Sequence, residues 1–128
     1  MISVVDDDPS VLEAVVSLME SVGYVAVGFR SAEDFLSSSR LGRTACLILD
    51  VRMPGMGGLE LQRRLAAAAD HTPIIFVTAH GDADVSADAL RRGALAFLPK
   101  PFSQESLLEA VRSALTLPAG SRTREGAT

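Results

Sequence analysis

Apolar positions along the chain fall into two alternating patterns. Short, nearly continuous apolar runs occur at Ile2–Val5, Tyr24–Phe29, Ala45–Leu49, Ile74–Val77 and Ala94–Leu98. Runs this short and this apolar predict strands buried on both faces, as in a parallel sheet. Between them, apolar residues recur every three to four positions, the spacing of amphipathic helices. The first helix opens with Asp8 as N-cap and Pro9 in its first turn. It is carried by Val11, Val15, Leu18, Met19 and Val22, with Leu12 and Val16 to one side of that stripe, and is stopped by Gly23. Ser31 and Asp34 read as a capping box opening a short helix that runs to about Ser38. A third helix is predicted over Leu59–Ala69, with Leu59, Leu61 and Leu65 inward. A fourth, over Asp82–Arg92, is rich in alanine and polar residues, and its weak amphipathicity predicts a marginal or mobile element. Ser103 caps a last helix through about Leu115, built on Leu107, Leu108, Val111 and Leu115. Strands alternating with helices in this way predict an α/β fold, a doubly wound five-stranded parallel sheet. Residues 117–128 have almost nothing to bury and read as a linker or disordered tail beyond a single domain over 1–116.

One stretch organises the candidate chemistry. The apolar run Ala45–Leu49 leads directly into Asp50, and a loop containing Pro54, Gly55, Gly57 and Gly58 follows. Ligands of open α/β sheets bind at the carboxyl ends of the strands, where Asp50 stands. Asp6 and Asp7 end the first strand in the same sense, Thr78 ends the fourth, and Lys100 follows the fifth between Pro99 and Pro101. Carboxylates about 4 Å apart repel by ~1 kcal/mol in water and by ~4 kcal/mol at an effective dielectric near 20. Such a cluster persists by holding a cation or by raising a pKa, and all-oxygen ligands suit magnesium better than zinc. Alone, an acidic triplet reads as solvated loop and capping residues, Lys100 as a surface charge and Thr78 as a strand end. Together they offer a metal, a lysine cation and a hydroxyl around one aspartate. That set suits the three oxygens of a phosphoryl group on a carboxylate nucleophile.

Composition narrows the classes. The 128 residues are 48% apolar and 22% charged, as in an ordinary globular domain. A net charge of -4 argues against these residues binding nucleic acid through phosphate neutralisation. The one cysteine, Cys46, lies within an apolar run and reads as a small buried hydrophobe. No stretch approaches the roughly 18 apolar residues of a membrane span, so no membrane contact and a cytoplasmic location are expected.

Four motifs in order give a resemblance: Val4-Val5-Asp6-Asp7, Leu49-Asp50-Val51-Arg52-Met53-Pro54, Val77-Thr78-Ala79 and Lys100-Pro101-Phe102. Residues 2–116 resemble the receiver domain of two-component response regulators. Val77-Thr78-Ala79-His80-Gly81 and Phe97 are most similar to the FixJ-type subgroup. The resemblance implies a flavodoxin/CheY-like (βα)5 fold with strand order 2-1-3-4-5. It implies Asp50 as phosphoacceptor from a sensor histidine kinase, and Mg2+ (or Mn2+) bound by Asp7, Asp50 and the backbone carbonyl of Arg52, with Asp6 acting through water. Lys100 would pair with the phosphoryl group, and its bond to Pro101 is expected to be cis. Thr78 and Phe97 would form the switch. Phe97 lacks the hydroxyl of the commoner tyrosine, and its position also suits a core aromatic of the fifth strand. Arg52 and His80 stand at positions that modulate dephosphorylation, although His80 equally suits an idle surface residue. Leu12, Val16 and Phe102 are candidates for kinase docking, against ordinary scattered surface apolarity. The fourth helix, fifth strand and last helix would carry the output, through a phosphorylation-induced homodimer, an output domain or another partner, with transcription as the regulated process. No separate enzymatic activity is expected beyond autocatalytic phosphotransfer and dephosphorylation.

Two other classes compete. A magnesium-dependent phosphatase with an aspartyl nucleophile would carry a general acid two residues past Asp50, where Arg52 stands. A flavodoxin-like cofactor domain would place a glycine or hydroxyl loop after the first strand, where Asp6-Asp7-Asp8 would repel a phosphate.

Overall fold

The computed structural model describes residues 1–39, 42–79 and 83–116. Five strands alternate with five helices: β1 (Ile2–Val5), α1 (Pro9–Ser21), β2 (Ala26–Phe29), α2 (Ala32–Leu36), β3 (Cys46–Leu49), α3 (Gly58–Ala67), β4 (Ile74–Thr78), α4 (Ala83–Arg91), β5 (Ala96–Pro99) and α5 (Gln104–Leu115). The strands pair in parallel in the order β2-β1-β3-β4-β5, the expected doubly wound sheet.

Each central strand is buried along its length because alternate side chains serve two cores. Val4, Ile48, Ile75 and Val77 pack with Val15 and Met19 of α1 and Leu107 and Val111 of α5. Val5, Leu47, Leu49 and Phe76 pack with Phe35 of α2, Leu61 and Leu65 of α3 and Ala89 of α4. Cys46 is fully buried, and burial pushes its thiol up to about 12, which keeps it protonated and inert.

The helix caps follow the local chemistry. The Asp8 side chain accepts the backbone N–H groups of Ser10 and Val11, and Ser31 and Ser103 accept those of Asp34 and Ser106. The edges of the sheet depart from expectation. β2 begins at Ala26 rather than Tyr24, and Val25 is 67% exposed. β5 runs from Ala96 to Pro99 rather than from Ala94 to Leu98, and an edge strand tolerates Pro99 because its outer side needs no N–H donor. Val22, expected in the core stripe of α1, is instead the residue that ends the helix and is 48% exposed. Gln62 of α3 is buried and donates from Nε2 to the Ala89 carbonyl at 3.0 Å, tying α3 to α4. α4 meets the core through Ala89 and the half-buried Val85, while Leu90 remains 44% exposed. His80, the Gly81-Asp82 break and the expected tail at 117–128 lie outside the described residues.

Candidate phosphoacceptor site at the carboxyl end of the sheet

Parallel register brings the candidate residues to one rim. Val5 pairs with Leu49, so Asp6 and Asp50 leave neighbouring strands at the same height, and the Asp50 N–H donates to the Val5 carbonyl at 3.0 Å. One carboxylate oxygen from each of Asp6, Asp7 and Asp50 lies within 4.8 Å of the others. Asp6 and Asp50 are buried and Asp7 is half-buried.

Lys100 reaches this cluster from beyond β5. Its backbone N–H donates to the Thr78 carbonyl at 2.8 Å, which fixes where the side chain starts, and the Lys100–Pro101 peptide is cis. Its Nζ donates to Asp6 Oδ2 at 2.8 Å and lies 3.8 Å from Asp50 Oδ2. Asp6 Oδ1 accepts the Asp8 backbone N–H at 2.9 Å, so both Asp6 oxygens have donors. Asp50 has the weaker hold on the lysine, and its pKa is raised. Burial is the main cause, and the Asp6 charge adds to it. Lys100 and the backbone N–H groups of Val51 and Arg52 pull it down, without cancelling the rise.

That rise has a measurable consequence. The folded state holds the Asp50 proton more tightly than the unfolded chain, so Asp50 supports folding fully only below its unfolded pKa of about 3.9. The support is lost as pH climbs through the raised folded value. At neutral pH the charged carboxylate is a net cost. Asp50→Asn is therefore expected to raise the urea midpoint at pH 7 and to lose that advantage below about pH 3.9. Equal midpoints for both proteins at pH 7 would contradict this electrostatic account.

The loop after Asp50 is held tightly. Gly58 donates its N–H to the Val51 carbonyl at 2.9 Å, and Val51 and Met56 are buried. A Cβ at Gly58 would collide with the Asp50 carbonyl oxygen and lie 3.1 Å from Phe76 Cε1. Glycine is required here by close approach to the backbone that carries the candidate nucleophile. Arg52 points to solvent, leaving its backbone as the part that can face the cluster.

Thr78 is fully buried at the end of β4. Phe76 pairs with Phe97 across β4 and β5, and their ring centroids lie 5.9 Å apart at 40°. Phe97 is half-buried against the core that α2, α3 and α4 cover. By strand alternation Thr78 and Phe76 share that face. Leu12, Val16 and Phe102 are half-buried and pack instead against the α1/α5 core. Leu12 lies over β2, where a Cβ on Gly28 would approach its Cδ1 to 2.9 Å. Asp6, Asp7, Asp50 and Lys100 are thus gathered at the rim, while these three apolar residues lie on the face covered by α1 and α5.

Two features escaped the pattern of residue types. One is the Gly58 approach, for which only the glycine-rich loop was a signal. The other is Glu33 of α2, whose Oε2 accepts the Met56 backbone N–H at 3.0 Å.

The donor set suits a hard divalent cation: one carboxylate oxygen from each of three aspartates at one point, all of them oxygen ligands. Among the described residues no helix is long and apolar enough to cross a membrane.

Comparison with known proteins identifies the family of the chain. Residues 2–112 match the family described as response regulator receiver domain. The response regulator protein TmoT of Ectopseudomonas mendocina is 48% identical over 117 residues, which cover 91% of this chain and 53% of TmoT. The low-resolution structure of response regulator StyR superposes with a TM-score of 0.86 at 46% identity, over 94% of this chain and 61% of StyR. The crystal structure of FixJ-N superposes with a TM-score of 0.81 at 32% identity, over 92% of this chain and 95% of that one. The chain spans about half the length of the curated relatives it matches. It belongs to the receiver-domain family of two-component response regulators, and within that family to the FixJ type.

Proposed function

We propose that Asp50 accepts a phosphoryl group from the phosphohistidine of a sensor histidine kinase. An Asp50 carboxylate oxygen attacks phosphorus, the P–N bond breaks, and the imidazole leaves with the electron pair. The observation that carries this reading is the meeting of Asp6, Asp7, Asp50 and Lys100 at one rim, with Thr78 ending the strand beside it.

Asp7, Asp50 and the Arg52 carbonyl would hold Mg2+ (or Mn2+), with Asp6 acting through water, and the ion would supply charge neutralisation for the phosphoryl oxygens. The donors already on both Asp6 oxygens support its indirect role. Lys100 pairs with the acquired phosphoryl group, exchanging its contact with Asp6 for a closer one beside Asp50. The Thr78 hydroxyl donates to a phosphoryl oxygen, and the Phe97 ring turns inward behind it. Displacement of these two residues shifts the face formed by α4, β5 and α5 between pre-existing states. That face then favours a homodimer, an output domain or another partner, with transcription as the process controlled.

Arg52 and His80 set the rate at which water removes the phosphoryl group. Leu12, Val16 and Phe102 contact the kinase through the surface they leave exposed. The domain acts on no separate substrate and works in the cytoplasm. Incubation with acetyl phosphate, with Mg2+ or with a chelator, tests the reading: one phosphoryl adduct is expected in the first case and none in the second.

A further inference from the structure

We infer that Glu33 is a positioning residue for the phosphoacceptor loop, holding the segment that presents the Arg52 carbonyl. The inference rests on the metal-binding role given to that carbonyl in the proposed function. Ser31 caps α2 and sets Glu33 in its first turn, facing the chain that follows β3. From there Oε2 accepts the Met56 N–H at 3.0 Å across a separation of 23 residues. Gly55, one residue earlier, has φ +76°, and a Cβ there would stand 2.7 Å from the same oxygen. The loop is therefore clamped at both ends and in the middle. Gly58 N–H closes it onto the Val51 carbonyl, Val51 and Met56 bury their side chains, and Glu33 fixes the peptide between Gly55 and Met56. Only Met53, Pro54 and Gly55 lie between Arg52 and Met56, so the carboxylate governs where the Arg52 carbonyl can stand.

A backbone N–H bound to a carboxylate is a charge-assisted hydrogen bond, stronger and more directional than a neutral one. Groups that orient a metal ligand without touching the ion typically change affinity by 10–100-fold when removed. Glu33 acts through geometry: its side chain is exposed on α2 and is already occupied by Met56.

The test is Mg2+ titration calorimetry on the wild type, Glu33→Ala, Glu33→Gln and Gly55→Ala, with the initial rate of acetyl phosphate phosphorylation measured at limiting and saturating Mg2+. Glu33→Ala is expected to weaken Mg2+ binding roughly 10-fold and to recover the wild-type rate at saturating Mg2+. Glu33→Gln keeps an acceptor oxygen and should stay within about two-fold of the wild type. Gly55→Ala, which crowds Oε2 and also strains a backbone at φ +76°, should weaken binding at least as much as Glu33→Ala. Equal weakening in the Ala and Gln variants would show that the charge of Glu33 matters rather than its hydrogen bond, and would overturn the inference. So would unchanged Mg2+ affinity in Glu33→Ala, whatever its urea midpoint. A wild type that binds no Mg2+ would instead remove the proposed function itself.

Discussion

Gly58→Ala is expected to lower the phosphorylation rate by about 100-fold and to destabilise the fold by about 1–3 kcal/mol. The added methyl group would collide with the carbonyl oxygen of Asp50 and press on the Phe76 ring. Neither obstacle is the free end of a flexible side chain. The start of α3 or the backbone of Asp50 must move, and Phe76 is fully buried between its neighbours. A shift of the backbone that carries the proposed nucleophile is costly because in-line attack tolerates little misplacement. Urea denaturation and the rate of acetyl phosphate labelling check the two parts separately. A variant with the wild-type midpoint and wild-type rate would show that the α3 terminus relaxes freely, against the close packing described here.

Lys100→Met is the second large effect. Lys100 keeps 16% of its side chain exposed while its partner Asp6 keeps 2%, so the substitution takes from a buried carboxylate, beside the buried Asp50, the cation that pairs with it among the described residues. Removing one partner of a fully buried pair costs ~3–5 kcal/mol, and the partial exposure of Lys100 brings the expected loss at pH 7 to about 2 kcal/mol. Adding Asp6→Asn to Lys100→Met should restore much of the stability without restoring phosphorylation-dependent switching, since the cation proposed to pair with the phosphoryl group stays absent. A double variant no more stable than Lys100→Met would place the cost in lost packing of the lysine stem rather than in the orphaned charge.

These contacts differ in how far the chain foretold them. Asp6, Asp50 and Thr78 were legible because each directly follows or ends an apolar run, and parallel pairing carries strand ends to one rim without further information. Lys100 was legible for the same reason, helped by the prolines on either side. The edges were less legible. Val25 and Ala94 continue apolar runs, yet an edge strand begins only where its neighbour offers a partner, Ile2 for Ala26 and Ile75 for Ala96, which composition does not encode. Val22 has the spacing of the α1 stripe, but as the C-cap just past Ser21 it turns out of the core. Gln62 has no signature at all, since a glutamine on a helix usually faces water; here it is buried by its bond to the Ala89 carbonyl. Glu33 was hidden for the opposite reason, because an acid in the first turn of a helix is already explained by the helix dipole. Its contact with Met56 depends on how α2 docks, and docking is a tertiary property.

The most direct test of the central claim is intact mass after incubation with acetyl phosphate and Mg2+, comparing the wild type with Asp50→Asn. The account predicts a single phosphoryl adduct on the wild type, lost when a chelator replaces Mg2+ and absent from Asp50→Asn. An adduct that survives in Asp50→Asn would contradict it by placing the chemistry on another residue.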